Sequence, residues 1–406
     1  MDIVIQKFGG TSVATKDLRE KVANKVIHTK ISGKFPVVVV SAIGRNGDPY
    51  ATDTLIKFSK SILSEPSRRE LDLLMSCGET ISAVVMANTI KAMGYDAVAM
   101  TGFQAGIITN SNFGDAQVLE VDPTKILRYL KEDKIVIITG FQGISQDGDI
   151  TTLGRGGSDT SAAILGEALG AEIVEIYTDV DGVMTADPRL VSQANVIESL
   201  CYDEIYQMAK SGAKVIHPKA VEIAERANLI LKVKNTFNDS DGTVIDNQRS
   251  YLKAPKEEGY SNNLVTAIAN MNNLVQVVIN IVSEDERNKF VLKELMEKKI
   301  SIDMINFFDD RKVFTIEEHN ISPIKDILNN YELDYSIKPN CSKVTIIGYK
   351  IHGVPGVMAR LVIALSKRNI KILQSSDSNT TISCLISSDN LLEAVKVLHQ
   401  EFDLNK

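Results

Sequence analysis

The run 151–161 concentrates groups that bind anions. It contains three glycines, Arg155 and Asp159, with hydroxyl side chains at both ends. An apolar run at 135–138 lies upstream and an alanine-rich segment at 162–169 follows, which predicts a strand, a glycine turn and a helix start. Unpaired N–H groups at a helix N-terminus attract anions, and Arg155 adds a planar fork for a carboxylate or phosphate. The alternative is a glycine turn that is only capped by its own polar side chains.

A second candidate anion site follows the first apolar run of the chain. Gly9 and Gly10 form a predicted turn there, flanked by Lys7, Thr11 and Ser12. Backbone N–H groups of such a turn can bind phosphate, and Lys7 can neutralise a transferred phosphoryl group. The hydroxyl of Thr11 or Ser12 can cap the next helix or contact phosphate. A plain turn explains these residues equally well.

Two further polar positions lie at the ends of predicted elements. Ser41 closes the apolar run 37–40 and opens a glycine-containing loop, which predicts a mobile lid at the carboxyl end of a strand. Glu79 precedes the helical pattern 80–93. There a carboxylate either complements the helix dipole or binds a substrate ammonium group.

Polar residues and glycine crowd the end of the predicted strand 173–178. Thr178, Asp179 and Asp181 lie there. A calcium loop that began at Asp179 would need glutamate at its twelfth position, which is Leu190, so we exclude that site.

Other known nucleotide and metal signatures are missing from the sequence. Lys214 could reach a nucleotide phosphate, whereas His217 precedes proline and is predicted to be structural rather than catalytic. No P-loop, protein-kinase motif or Ser/His/Asp triad is recognisable. The four cysteines are scattered, so we predict no metal ligands in the protein.

Composition narrows the class of protein. A chain of 406 residues predicts two or three domains, and the net charge of −7 argues against broad nucleic-acid binding. No continuous apolar stretch reaches the ~18 residues of a membrane span, and no signal peptide is recognisable. Isolated cysteines fit reduced thiols. We therefore expect a cytoplasmic protein that binds neither nucleic acid nor membrane.

Short apolar runs alternate with helical patterns in residues 1–245. Several runs are continuous in Val and Ile, as in strands buried on both faces. Leu18, Val22 and Val26 recur on one helical face. The alternation predicts an α/β sandwich around a mostly parallel sheet, followed by a polar linker at 246–263. The predicted strands are residues 3–6, 37–41, 97–101, 135–140, 173–178 and 229–233.

The last third of the chain repeats itself weakly. Apolar positions of residues 264–338 recur about 70 positions later, as at Val277 and Ile347. Each copy has a strand, helix, strand pattern, which predicts two small α+β modules at 264–338 and 339–390. Residues 390–406 could return as a strand and complete the first module. Coincidence of strand and helix periods is the alternative to duplication.

In series, these motifs resemble the aspartate kinases of the amino-acid kinase family. The resemblance covers essentially the whole chain and implies an αβα sandwich kinase domain followed by two ferredoxin-like ACT modules. Residues 353–357 resemble the Pro-Gly turn of an ACT module, whereas 283–286 of the first module lack it. The segments that carry the kinase resemblance are 7–12, 151–161, 177–189 and 214–219.

This resemblance implies ATP-dependent phosphorylation of the β-carboxylate of L-aspartate to 4-phospho-L-aspartate, with ATP bound as its Mg²⁺ complex. A carboxylate with a pKa near ~3.9 is ionised at pH 7, so no general base is needed. Lys7 and Asp159 are the predicted catalytic residues. The predicted substrate-binding residues are Thr11, Ser41, Glu79, Arg155 and Ser158. The predicted nucleotide-binding residues are Lys7, Gly9, Gly10, Ser12, Thr178, Asp179, Asp181 and Lys214.

The ACT resemblance implies feedback control by an end product, because this reaction begins the routes to lysine, diaminopimelate, threonine and methionine. Asp303 matches a family position that faces the effector; otherwise it is a solvated acid at a strand end. Residues 372–378 favour diaminopimelate over lysine alone, with threonine a further candidate. A homodimer or higher homo-oligomer through the ACT modules is implied.

Two other functions compete with this one. The first is a related kinase that acts on glutamate, carbamate or a nucleoside monophosphate; the paired modules and Glu79 argue against it. The second is a catalytically silent amino-acid sensor, which loss of Lys7 or Asp159 would have supported. Both residues are present.

Overall fold

A computed structural model describes residues 1–213, 215–247, 264–280 and 287–405, with the side chains of 287–289 left out. The described chain divides into two compact units. The first comprises Met1–Val183, Val196–Ala209 and residues 215–247. The second comprises Met184–Asn195, Lys210–Ala213 and the described residues from 264 onward.

The first unit alternates strands and helices. Its strands are β1 (Ile3–Phe8), β2 (Phe35–Val40), β3 (Ala97–Met100), β4 (Ile107–Thr109), β5 (Val118–Val121), β6 (Ile135–Thr139), β7 (Gln142–Ser145), β8 (Ile150–Thr152), β9 (Ile173–Thr178), β10 (Ser199–Leu200), β11 (Ile230–Asn235) and β12 (Thr243–Ile245). Its helices are α1 (Lys16–Ile31), α2 (Thr52–Ile62), α3 (Arg68–Ala92), α4 (Thr124–Lys131), α5 (Gly157–Leu169), α6 (Tyr202–Lys210) and α7 (Pro218–Arg226).

A central sheet with helices on both faces forms the core of this unit. Its order is β10-β12-β11-β9-β1-β2-β6-β3, and its pairs are parallel except β11 with β12. Val38, Val40 and Ile137 are fully buried in one cluster with α1 and α3. The opposite face carries α5, where Gly166 approaches Val174. Each buried Val or Ile contributes roughly 1.5–3 kcal/mol. The predicted α/β sandwich and its six strands are confirmed.

The parallel strands end at one edge of the sheet, where ligands bind in folds of this kind. The strand directly before the glycine run is β8 rather than β6, because the β7–β8 hairpin is inserted between β6 and α5. It belongs to a small sheet with the order β5-β4-β7-β8. Gly156, with φ +65°, turns the chain into α5. The predicted glycine turn and helix start are therefore present, but the preceding strand was misidentified.

Helix α3 differs from its prediction. It begins at Arg68, after an N-cap at Ser67 whose side chain accepts a hydrogen bond from the Glu70 N–H, so Glu79 lies inside the helix. Glycine in the middle of a helix is unfavourable relative to alanine, so the sequence around Gly78 does not predict a helix interior. Here it permits close packing, since a Cβ at Gly78 would lie 2.7 Å from the Tyr50 carbonyl oxygen.

Within the described chain, α3 is the one helix that by length and composition could cross a membrane. Half of its apolar window is buried inside the protein. Met86 and Ile90 are fully buried in the cluster beneath the central sheet. Helix α3 is therefore buried in the way that a helix of a protein core is buried.

The second unit is built on one antiparallel sheet with the order β14-β15-β13-β16-β18-β17. Its strands are β13 (Ala267–Asn280), β14 (Asp303–Phe307), β15 (Arg311–Glu317), β16 (Tyr335–Ile347), β17 (Gln374–Asp377) and β18 (Thr381–Ser387). Its helices are α8 (Arg287–Glu297), α9 (Ile321–Asn330), α10 (Val357–Ser366) and α11 (Leu391–Glu401).

Two long strands serve both modules of this sheet. The first half of β13, residues 267–271, pairs with residues 343–347 of β16, and a register shift follows at Met271. The second half pairs with β15 and with the start of β16. One apolar core contains Phe314 and the other contains Leu361. The two α+β modules are present, but they share strands instead of standing in tandem.

The prediction that residues 390–406 return as a strand to the first module was wrong. Residues 391–401 form α11, whose apolar side chains recur every three to four positions, and Leu398 is buried in the core of the second module. The strand segment that joins the second module is the first half of β13.

The predicted end of the first domain at residue 245 also needs revision. Met184–Asn195 belongs to the second unit, where Ala186 and Val191 are part of the second module's core. The Ile268 N–H donates a 2.8 Å hydrogen bond to the Thr185 carbonyl. The predicted linker lies outside the described residues, apart from its first two positions.

Candidate active site

Lys7 and Asp159 form an ion pair at the edge of the central sheet. Lys7 lies near the end of β1 and Asp159 in the first turn of α5, with 2.7 Å between Lys7 Nζ and Asp159 Oδ1. Both side chains are largely buried, and Asp159 Oδ2 also accepts a 3.3 Å hydrogen bond from the His217 N–H. A lysine held in this way is a fixed positive charge, suited to stabilising charge on a transferred group.

A cleft of about 540 Å³ opens beside this pair. It combines two cations with three carboxylates, a mixture suited to a small zwitterionic ligand. The predicted residues that line it are Lys7, Ser41, Glu79, Arg155, Ser158 and Asp159. Thr152 and the three glycines of the run 151–161 line it as well. Six further lining residues were not singled out from the sequence: Thr52, Asp53, Ile56, Met75, Gly114 and Phe141.

Glu79 points a buried carboxylate into the cleft. Its residue is 2% exposed, and Oε1 accepts a 3.1 Å hydrogen bond from the Ala42 N–H. Among the described residues, none hydrogen-bonds to Oε2. Burial raises the pKa of Glu79 to about 7. A ligand ammonium group at Oε2 would supply the missing partner and favour the ionised form.

Ser41 and Ser158 connect the loop after β2 to α5. The Ser41 hydroxyl donates a 3.0 Å hydrogen bond to Ser158 Oγ. Arg155 is exposed, and no described residue forms an ion pair or hydrogen bond with it in this structure. Its guanidinium is therefore available to a carboxylate on the ligand.

The segment after β1, residues 9–12, is packed next to the cleft but does not line it. No side chain could replace Gly10, because a Cβ there would overlap the Ala42 carbonyl oxygen. The Ser12 hydroxyl is buried and lies 2.8 Å from Thr236 Oγ1, so it already has a protein partner. Gly9 faces Lys7 Nζ. Thr11 is not among the cleft residues.

The acidic strand end after β9 lies outside the cleft lining. Asp179 forms a 3.1 Å ion pair with Arg45 from the loop after β2. Asp181 Oδ1 accepts 2.7 Å hydrogen bonds from the side-chain amides of Asn238 and Asn235, which lower its pKa. The Thr178 carbonyl accepts a hydrogen bond from the Thr236 N–H. Lys214 lies outside the described residues.

His217 is placed as a structural residue. It is the N-cap of α7, and its Nδ1 accepts a 3.4 Å hydrogen bond from the Lys219 N–H. Its ring occupies the space into which a Cβ at Gly156 would project. Burial lowers its pKa. The geometry agrees with the structural role predicted for it.

Phe141 is a site residue with a weak sequence signal. It has φ +70°, which is uncommon outside glycine and asparagine, and it follows Gly140 at the end of β6. A Cβ at Gly157 would lie 2.6 Å from its ring. Such backbone strain clusters at functional sites. A large residue after a strand-ending glycine was the available clue.

Asp303, the predicted effector residue, lies at the start of β14 and pairs with the buried Lys343. The same unit has a cavity of about 440 Å³ between β13, β14, β15 and β17, whose lining does not include Asp303. Within the described residues, no cluster of three or more His, Cys, Asp or Glu side chains could hold a metal ion.

The fold and site together define a small-molecule kinase domain joined to regulatory α+β modules. Residues 2–235 match the amino acid kinase family and residues 336–400 match the ACT domain. Aspartokinase 1 of Bacillus subtilis (strain 168) is 41% identical over 407 residues, covering 100% of both chains. Aspartokinase of Geobacillus stearothermophilus is 38% identical over 411 residues, covering 100% of this chain and 98% of the relative. The chain belongs to the aspartokinases of the amino acid kinase family.

Solved structures agree with this membership. E. coli aspartokinase III in complex with aspartate and ADP (R-state) matches with a TM-score of 0.80 and 25% identity, covering 98% of this chain and 99% of that chain. The same enzyme with lysine and aspartate (T-state) matches with a TM-score of 0.74 at 25% identity, covering 99% and 100%. The resemblance inferred from the sequence motifs is confirmed.

Proposed function

We propose that this protein transfers the γ-phosphoryl group of ATP to the β-carboxylate of L-aspartate, forming 4-phospho-L-aspartate under feedback control by an amino acid. The observation that carries this proposal is Glu79, a buried carboxylate whose Oε2 lacks a described partner, in one cleft with Arg155 and Lys7. A carboxylate and a guanidinium together can bind the two charged groups of an amino acid.

The cleft supports one orientation of aspartate. Arg155 binds the α-carboxylate through its planar fork, and Glu79 binds the α-ammonium group. The β-carboxylate then points toward Lys7. Ser41 and Ser158 supply hydroxyl groups between the two ends of the substrate, with Thr11 near the phosphoryl path.

Phosphoryl transfer needs charge stabilisation and alignment more than proton transfer. The β-carboxylate is already ionised at neutral pH, so it attacks without a general base. Lys7 stabilises charge on the γ-phosphoryl group as the bond to the leaving ADP oxygen breaks, and Asp159 orients Lys7. The N–H groups of Gly9 and Gly10 contact the same phosphoryl group.

ATP enters as its Mg²⁺ complex. We assign Ser12, Thr178, Asp179, Asp181 and Lys214 to the nucleotide side. The buried hydrogen bond of Ser12 favours a structural part in that loop over direct phosphate contact. Asp181 is similarly engaged with two asparagine amides, so it shapes the loop after β9.

A coupled ADP-release assay tests the reaction with aspartate, glutamate and carbamate as alternative acceptors. We expect turnover with aspartate at a kcat/KM far above that of the other two. Turnover with glutamate or carbamate alone would assign a related kinase activity. Aspartate binding without ADP release would indicate the amino-acid sensor.

Regulation is the second part of the proposal. We assign Asp303 to an effector site for lysine, diaminopimelate or threonine, in a homodimer or higher homo-oligomer. Lys343 already neutralises Asp303. An effector ammonium group would therefore have to share or displace Lys343 at that carboxylate.

A further inference from the structure

Asp72 is a buried carboxylate without a part in the reaction outlined above. It lies in α3, seven residues before Glu79, and two helical turns place both side chains on one face. It is fully buried. A carboxyl group removed from water needs several hydrogen-bond donors to remain there.

The donors come from two segments of the cleft wall. Asp72 Oδ2 accepts hydrogen bonds from the Thr152 N–H at 2.8 Å and the Gly114 N–H at 2.9 Å. Asp72 Oδ1 accepts one from the Thr152 hydroxyl at 2.7 Å. Thr152 and Gly114 both line the cleft, and Thr152 lies three residues before Arg155.

The segment between Thr152 and Arg155 has little freedom of its own. Gly154 has φ +74°, and a Cβ there would lie 2.7 Å from Asp115 Oδ1. The Leu153 N–H donates to the Phe141 carbonyl at 2.9 Å. Fixing Thr152 therefore fixes where the glycine run begins and where the Arg155 backbone lies.

We propose that Asp72 is a positioning residue of the amino-acid site, which acts through Thr152 and Gly114 to place Arg155. This proposal rests on the proposed function, in which Arg155 is the carboxylate-binding residue. Glu79 holds the Ala42 N–H on the loop after β2 from the same helix face. Helix α3 thus sets the spacing between the two loops that contact the amino acid.

Two substitutions of similar size differ in whether they can still accept the hydrogen bonds from Thr152 and Gly114. In Asp72→Asn the amide oxygen can accept from both backbone N–H groups, and the amide NH₂ can donate to the Thr152 hydroxyl after that hydroxyl rotates. The hydrogen bonds survive without the charge. In Asp72→Leu they are all lost, and buried N–H groups remain without acceptors.

The experiment compares these variants of the full chain by steady-state kinetics. Asp72→Leu should raise the aspartate KM by roughly tenfold or more, because small displacements of a binding group have large effects, while the ATP KM stays within about twofold. Asp72→Asn should keep both KM values within about threefold of the unsubstituted protein. Near-UV circular dichroism checks that each variant is folded.

A second pair of variants keeps the test decisive if Asp72→Leu fails to fold. Thr152→Val removes only the hydroxyl, and Thr152→Ser retains it. We expect a raised aspartate KM for Thr152→Val and a near-normal one for Thr152→Ser. Three results would overturn the proposal. The first is a folded Asp72→Leu with an unchanged aspartate KM, and the second is an equal change in the aspartate and ATP KM values of that variant. The third is an Asp72→Asn as impaired as Asp72→Leu.

Failure of the underlying function gives a different result. If the unsubstituted protein releases no ADP with aspartate, the proposed reaction fails. Calorimetric binding of aspartate to the unsubstituted protein, Asp72→Asn and Asp72→Leu then still tests Asp72. Weaker binding confined to Asp72→Leu supports its positioning role, and equal binding by all three overturns it.

Discussion

Lys7 and Glu79 are opposite solutions to placing a charge in a partly buried cleft. Lys7 is paired with Asp159 at 2.7 Å, so its charge is held in place before any ligand arrives. Glu79 Oε2 has no partner among the described residues, and its carboxylate is disfavoured until a cation binds. The first arrangement suits stabilisation of a transition state, and the second suits recognition of an ammonium group.

Replacement of Lys7 by alanine should reduce kcat by about 10²–10³-fold, since one preorganised charge on the transferred group is lost. Steady-state ADP release measures this. Lys16→Ala is the matched control, because Lys16 is highly exposed on α1 and pairs weakly with Glu20. Near-normal kcat in folded Lys7→Ala would remove Lys7 from the catalytic residues.

The raised pKa of Glu79 predicts how substrate affinity changes with pH. Aspartate keeps its charges between pH 6 and 8, whereas the Glu79 carboxylate is lost as the pH falls through about 7. The aspartate KM should therefore rise from pH 8 to pH 6. In Glu79→Gln it should be high throughout and nearly independent of pH. A wild-type KM that is flat over this range would contradict the assignment.

The same shift predicts a stability change of known sign. The folded pKa of Glu79 lies above its unfolded value, so its contribution is most favourable below about 4.5 and declines as the pH rises toward 7. Without ligand, Glu79→Gln should stabilise the protein at pH 8 by up to about 3 kcal/mol. Thermal unfolding at pH 8 and pH 5 measures this difference, which should be small at pH 5.

Among the elements, α3 carries both Asp72 and Glu79, which accept hydrogen bonds from the Gly114 and Thr152 N–H groups and from the Ala42 N–H. Its interior glycine is part of this arrangement. At Gly78 the helix approaches the Tyr50 carbonyl oxygen and Ala42 Cβ, at distances where an added methyl group would clash. Glycine is unfavourable inside a helix, so its use here reflects packing.

Gly78→Ala should destabilise the protein by about 1–3 kcal/mol even though alanine is the better helix former. Overpacking against backbone outweighs the propensity gain of about 1 kcal/mol. Chemical unfolding of Gly78→Ala against Cys77→Ala, at an exposed neighbour in the same helix, measures the effect. Stabilisation by Gly78→Ala would show that the loop after β2 yields readily.

An element could be predicted from the sequence when the residues that determine it are neighbours along the chain. Strands β2 and β6 were recognisable because a continuous run of Val and Ile indicates a buried strand without any contact to a distant residue. Glu79 lies in the cleft lining, but its helix was predicted to begin too late, because Gly78 packs against a carbonyl oxygen of a distant loop. Asp72 and Phe141 were not selected from the sequence, because Asp72 hydrogen-bonds to residues 42 and 80 positions away and Phe141 is marked by a positive φ that only the structure shows.

At the scale of the molecule, the chain does not finish one unit before it begins the other. It leaves the first unit at Val183, two residues after Asp181, enters the second at Met184, and returns at Val196. Residues assigned to the nucleotide side are therefore followed directly by residues of the regulatory unit. The linear domain boundary predicted from composition could not show this.

Asp303→Asn should weaken inhibition by the effector amino acid by about tenfold or more, since an ammonium group would lose a charged partner. Aspartate and ATP KM values should not change. Inhibition curves with lysine, diaminopimelate and threonine measure the effect, with Asp310→Ala as a control on the same unit. An unchanged inhibition constant for every effector would exclude Asp303 from the site.

The Met184–Asn195 segment also constrains how the protein is made. Ala186 shares an apolar core with Leu404, and the Thr185 hydroxyl lies 2.9 Å from Nε2 of the buried His399, 214 positions further along the chain. Such contacts give the second unit a high contact order, which slows folding. During translation this segment is synthesised long before its partners, so its apolar side chains lack their core until the residues around His399 have followed, and such exposed apolar surface favours aggregation.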